Sequence, residues 1–206
     1  MNANKNLIEL SLKFKNRIIK LRDEVNSEPR NIERYCIVSI ALLNNFLRAY
    51  LLSIRIYAQD STGTFQSYPT HYLTEAHLID DFMRFGKVTR WKIGLVGTWL
   101  PKDEPAFHTP YIFIRIVNGL NPSNLGNILA AFTDSGKIDV LRALRNYFAH
   151  RCKSTEKEAI QMVLSKYSIP TSRAAGILLV HDSSIASSIL DDINNYLLNF
   201  ADNIIL

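Results

Sequence analysis

The segment from Ile32 to Tyr57 limits this chain more than any other. Within it Ile37, Ile40, Leu43, Leu47, Leu51 and Ile54 recur at steps of three and four, which places them on one stripe of a helix. A helix of that span runs about 39 Å at the usual rise per residue. Its apolar stripe must be covered by other elements, and helices are the natural cover. The neighbourhood of Tyr35 to Tyr57 is also the most apolar part of the chain, but Asn44, Asn45, Arg48 and Arg55 interrupt it. A membrane span asks for about 20 mostly apolar residues, so the segment is expected to be a buried helix and no membrane partner is expected.

The rest of the chain extends the same pattern. Leu7 to Val25 carries Leu7, Ile8, Leu12, Ile18, Ile19 and Leu21 at roughly helical spacing, against a basic face of Lys13, Lys15, Arg17, Lys20 and Arg22. "VNSEPRN" marks a break and a restart around Pro29, and "AQDSTGTFQSYPTH" reads as a loop. Thr74 is placed to cap a helix over "EAHLIDDFMRF" that stops at Gly86. "KVTRWKIGLVGTWLPKDEPAFH" fits either a short strand or an irregular excursion. In "TPYIFIRIVNG" the β-branched residues favour a strand, whereas Thr109 as cap, Pro110 in the first position and Gly119 after the end describe a helix. "NPSNLGNILAAF" is a further short helix entered through Pro122. "DSGKID" is a turn into the next helix. "STEKEAIQMVLSKY" is placed for a capping box between Thr155 and Glu158 and is closed by Pro170. "GILLVHD" suggests a short extended piece, and Ser183 or Ser184 would cap a last helix.

With 206 residues, 47% apolar and 21% charged, the chain can bury a core without staples. The expectation is one all-α domain over residues 1–206, with an irregular insertion between about 60 and 108. Two cysteines, Cys36 and Cys152, make no disulfide framework. The first 20 residues lack the apolar run and cleavage site of a secretory signal, so a cytoplasmic location is expected. A net charge of +5 suits an anionic partner such as RNA without requiring one.

The functional lead is "LRALRNYFAHR", Leu141 to Arg151, which looks like the middle of an ordinary helix. At 100° per residue Leu141, Leu144 and Phe148 fall together and should face the core. Asn146 and His150 stack one turn apart on roughly the opposite face. Arg145 lies about 100° from Asn146 and can bend toward it on its long stem. The plain reading is a solvated face of an amphipathic helix. The other reading is a site that offers a guanidinium, an amide and an imidazole together.

Arg145-Asn-Tyr-Phe-Ala-His150 is an R-x-x-x-x-H pattern inside "LRNYFAHR", and it resembles the HEPN superfamily, the higher eukaryote and prokaryote nucleotide-binding domains. The close resemblance covers about a dozen residues, and the helical layout extends it loosely over the chain. It implies an up-and-down helical bundle that dimerises, with two motif helices forming one composite cleft. It also implies a metal-independent endoribonuclease, a hydrolase of the toxin–antitoxin or antiviral-defence kind, with an antitoxin or defence-system partner. Arg145 and His150 would then be catalytic, with Asn146 positioning them and no cofactor.

The residue types suit that chemistry. Arginine is permanently charged and forks onto phosphate oxygens. Histidine is the side chain suited to moving protons near neutral pH. One departure is Cys152, two residues after His150, where nucleotidyltransferase-paired members often carry a modifiable tyrosine.

The other candidates are thinner. Lys13, Arg17, Lys20 and Arg151 can track an RNA backbone, although a solvated surface accounts for the basic face as well. His71 and His77 flank "YLTEA" with no ligand pattern for a metal, so no metal site is expected. His108 belongs to a helix entry, and His181 with Asp182 precedes a cap. Trp91 and Trp99 read as packing residues rather than base-stacking platforms. "GLVG" lacks the Lys-Ser/Thr of a phosphate loop. The alternatives to a nuclease are a non-catalytic HEPN-like module that binds nucleotide, RNA or a protein partner, and a helical scaffold in which the motif is coincidence.

Overall fold

The computed structural model describes residues 1–206 except 73, 89–95, 101, 171 and 183–186, together with the side chains of 181, 182 and 187. The fold is all-α. The helices among the described residues are α1 (Leu7–Ser27), α2 (Ile32–Arg55), α3 (Glu75–Phe85), α4 (Pro110–Leu120), α5 (Leu125–Ala131), α6 (Gly136–His150), α7 (Lys153–Tyr167) and α8 (Ile189–Asn203). Among the described residues the extended pairing is one two-residue ladder, β1 (His181–Asp182) against β2 (Ser187–Ser188), and isolated bridges from Gln59 to Asn6 and Phe65. The chain divides into two compact units. One is Met1–Leu12, Leu43–Thr133 and Asp202–Leu206, and the other is Lys13–Leu42 and Asp134–Ala201.

α2 forms largely as its stripe requires: Ile40, Leu43, Leu47, Leu51 and Ile54 are buried, and Ile37 is half-buried. Each such side chain contributes about 1.5–3 kcal/mol when fully removed from water. The helix and its preceding turn, Pro29–Arg55, contain an 18-residue window long and apolar enough to cross a membrane, with a mean hydropathy of 1.6, and 67% of that window is buried against the chain itself. Two of the polar residues that interrupt the stripe, Asn44 and Arg48, have partners in the first unit, whereas Asn45 is exposed. Asn44 Oδ1 accepts from the His108 amide at 3.3 Å and lies 3.0 Å from its ring Nδ1. Arg48 grips Glu104 through Nε at 2.5 Å and Nη2 at 2.8 Å, and the Glu104 side chain is 4% exposed. The Tyr50 hydroxyl accepts from Asn124 Nδ2 at 2.7 Å, and Tyr68 donates to the Leu51 carbonyl at 2.8 Å.

The loop after α2 is organised by Asp60. Its carboxylate accepts from the amides of Thr62 and Thr64, the Thr62 hydroxyl and Gln66 Nε2. Burial alone would raise its pKa, but these bonds outweigh it and hold the group below the usual carboxylate range. Thr74 caps α3 by accepting from the His77 amide, and Gly86 follows the last helical residue, Phe85.

Several boundaries differ from the expectations. Along α1 the buried apolar face is Leu7, Leu10, Phe14, Ile18, Leu21 and Val25, at steps of three and four that leave Ile8, Leu12 and Ile19 40%, 47% and 41% exposed. Gly119 lies inside α4, not after it, because the backbone there passes against the Phe85 ring. A Cβ would sit 2.3 Å from Phe85 Cδ1. The left-handed residue that ends α4 is Asn121, at φ 48°. The "DSGKID" turn is shorter than expected, since α6 already starts at Gly136. α7 starts at Lys153, so Thr155 lies in its first turn. The Thr155 hydroxyl bonds the Cys152 carbonyl instead of forming a box with Glu158. The "GILLVHD" segment is a single 3-10 turn, Ile177–Leu179, followed by β1. α8 is capped by Ser188, whose Oγ accepts from the Asp191 amide at 3.1 Å and donates to its carboxylate at 2.7 Å. Ser183, Ser184, Trp91 and the first two residues of "GLVG" lie outside the described residues.

The second unit is tied by surface and half-buried ion pairs. Arg22 binds Asp191 at 2.6 Å, Lys137 binds Asp192 at 2.8 Å and Asp134 at 3.2 Å, and Lys166 reaches Asp134. The last contact joins the end of α7 to the residues just before α6, so the two helices run antiparallel. Burial would raise Asp134, yet its bonds from Lys166 and Lys137 hold it low.

Candidate functional site

The motif helix α6 buries Ile138, Val140, Leu141, Ala143, Leu144 and Phe148. The three residues expected to face the core, Leu141, Leu144 and Phe148, are 0%, 0% and 7% exposed. That anchoring fixes the rotation of the helix. Arg145 and Asn146 are consequently half-buried, and His150 is exposed. Arg145 bends to its neighbour as its stem allows, and its Nη1 donates to Asn146 Oδ1 at 3.1 Å. Asn146 is therefore engaged by the arginine and not by the imidazole one turn on. Among the described residues nothing hydrogen-bonds His150.

His150 is the last residue of α6, not a mid-helix residue. The next residue, Arg151, takes a left-handed backbone at φ 48°, and its amide bonds the Tyr147 carbonyl at 2.6 Å. A left-handed L-residue costs about 1–2 kcal/mol. Asn121 and Ser168 close their helices in the same way, so this backbone is a helix-ending device in this chain and not a mark of the site. It does set where Arg151 reaches: its guanidinium pairs with Glu33 near the start of α2.

Cys152 follows as the cap of α7. Its Sγ lies 3.1 Å from Ser154 Oγ and 3.3 Å from Thr155 Oγ1. Hydrogen bonding from Ser154 and then Thr155 lowers the thiol to about 7, and the residue is exposed. Cys36 is the opposite case, buried and pushed well up by desolvation.

The basic residues separate. Lys13, Arg17 and Lys20 are all exposed on α1. Arg17 and Lys20 line a cavity of about 230 Å³ together with Leu21, Glu24 and Arg34. Arg22, grouped with them by its spacing, is committed to Asp191. Glu33, the partner of Arg151, lines a second cavity of about 350 Å³ with Arg30, Asn31 and Arg34. Arg30 and Arg34 were not singled out by the sequence reading. They sit where the chain restarts after Pro29, four residues apart, and that spacing at a helix start is the signal that could have found them.

No group of three or more metal-ligating side chains occurs among the described residues. His71 Nδ1 pairs with the Tyr57 hydroxyl at 3.0 Å, and His77 Nδ1 with the Thr74 hydroxyl at 2.7 Å. Both rings also border a cavity of about 360 Å³ with Asp80, Asp81 and Arg84. Those groups are tied locally, since Asp81 accepts from Tyr72 and pairs with Arg84, and Asp80 accepts from Trp99.

No family model matches the chain, and no curated protein or solved structure is significantly similar to it.

Proposed function

We propose that this chain is a metal-independent endoribonuclease of the HEPN type, acting as a toxin or defence effector in the cytoplasm. The observation that carries the proposal is the R-x-x-x-x-H spacing on α6. It holds Arg145 against Asn146 and leaves the His150 imidazole exposed and unpartnered at the helix end. A homodimer would bring two such helices together, so that two arginines and two histidines face one scissile phosphate. An antitoxin or another defence protein would restrain the activity.

In that cleft the ribose 2′-oxygen attacks phosphorus and forms a P–O bond as its proton passes to a base. The bond to the 5′-oxygen breaks, and that oxygen takes up a proton. The products are a 2′,3′-cyclic phosphate and a 5′-OH. Arg145 would meet the charge that gathers on the phosphorane oxygens, where preorganised donors contribute several kcal/mol. The two copies of His150 would handle the protons, or one would orient the substrate.

A second reading is favoured by one feature. Within one copy His150 has no orienting partner among the described residues, because Asn146 is occupied by Arg145. A non-catalytic module that binds nucleotide, RNA or a protein partner needs no such orientation.

RNA cleavage in the presence of EDTA, with end-group analysis of the products, separates the two readings. The nuclease reading expects undiminished cutting, cyclic-phosphate ends and complete resistance where the 2′-OH is removed. Loss of activity with EDTA, or 5′-phosphate ends, would remove the internal 2′-OH mechanism. Sedimentation at micromolar protein tests the dimer: a pure monomer that retains full activity would remove the composite site.

A further inference from the structure

Two cavities of the second unit share a wall. Arg34 and Val38 line both the cavity of about 230 Å³ beside α1 and the cavity of about 350 Å³ at the start of α2. Together they make one groove. Its floor is apolar, with Leu21 and Leu42 at 6% and 8% exposure and Ile37 and Val38 half-buried. Its rim is cationic: Arg17 and Lys20 at one end, Arg34 in the middle and Arg30 at the other. Two of these cations already face acids: Arg30 pairs with Glu28, and Arg34 pairs with Glu24 at 3.5 Å. Glu33 pairs with Arg151. Arg17 and Lys20 carry no ion pair among the described residues. The groove therefore ends at Glu33, whose partner is the residue next to His150.

We infer that this groove is the path of a single RNA strand toward His150, with phosphates on Arg17 and Lys20 and riboses or base faces on the apolar floor. The inference rests on the nuclease reading for its direction and on the groove for its substrate class. A single strand presents phosphates and unpaired apolar faces together, which is what a cationic rim over an apolar floor can take up. A duplex turns its base faces inward and leaves the floor uncovered. An acidic peptide would satisfy the rim only.

The test uses a labelled 2′-O-methyl oligouridylate, which has no free 2′-OH and cannot be cut. Its affinity is measured against salt for the parent and for Arg17→Gln/Lys20→Gln. Each phosphate neutralised on a single strand contributes about 0.7 to the slope of log affinity on log salt, so the double variant should lose about 1.4. Its thermal midpoint should be unchanged, and a duplex of the same composition should compete poorly. Lys20→Glu alone is the second variant and should weaken binding further than Lys20→Gln. Equal slopes for parent and double variant would overturn the inference. So would a parent that does not bind, or displacement of the strand by polyglutamate as readily as by unlabelled oligouridylate.

Cleavage of an unmodified strand is read in parallel. Binding through the groove without cutting keeps the groove and removes the nuclease. Cutting with an unchanged KM and salt slope in the double variant keeps the nuclease and removes the groove.

Discussion

In the first unit every histidine ring is held by a neighbour: His71 by Tyr57, His77 by Thr74 and His108 by Asn44. On α6 of the second unit His150 has no such neighbour. Among the cations, Arg22, Lys137 and Lys166 of the second unit are paired as well, and the contrast is narrower. Arg48 of the first unit closes a bidentate grip on a nearly buried glutamate, whereas Arg17 and Lys20 of the second stand on an open rim. A polar group with a fixed partner holds architecture. One left open beside a groove and an arginine–asparagine pair is what a ligand can use. Substitutions in the first unit should therefore alter stability, and substitutions of His150 should alter activity alone.

The most disruptive change expected is Phe148→Ala. It removes the anchor that rotates His150 outward and should cost about 3–5 kcal/mol in urea unfolding. A cost under 1 kcal/mol would mean that α6 is not fixed by its apolar face. Gly119→Ala in the first unit comes next. The new methyl would meet the Phe85 ring, and overpacking of this kind costs about 1–3 kcal/mol. A neutral result would show that α3 and α4 can part at that point. Thr74→Ala removes the α3 cap, and its expected cost is about 1 kcal/mol, again by urea unfolding. Unchanged stability would show that the His77 amide is satisfied by water. The smallest effect on folding belongs to His150→Ala, below about 0.5 kcal/mol, because none of the described residues bonds that ring. Arg145→Ala should cost somewhat more, since its stem is half-buried and it donates to Asn146.

The sequence was most legible where periodicity and caps agree. The α2 stripe is buried as spaced from Ile40 to Ile54, with Ile37 only half-buried, and Thr74 and Gly86 bound α3 to the residue. The face of α6 follows from Leu141, Leu144 and Phe148 alone. Reading failed where tertiary contact decides. Ile8, Leu12 and Ile19 have the right composition for a core, but they fall off the rotation set by Phe14 and Leu10. Gly119 resembles a helix stop and is instead a close approach to Phe85. Arg22 looks like its basic neighbours until Asp191, 169 residues away, claims it. The groove was hidden for the same reason: its rim joins α1 to the start of α2, two segments that no local pattern links.

The most direct measurement compares RNA cleavage and urea unfolding for the parent, His150→Ala and Arg145→Ala, with EDTA present throughout. The account predicts that the parent cuts RNA and leaves 2′,3′-cyclic phosphate ends. It predicts that both variants stay folded and lose at least about a hundredfold in rate, the scale of removing one preorganised donor. Folded His150→Ala and Arg145→Ala proteins that cut RNA as the parent does would contradict it.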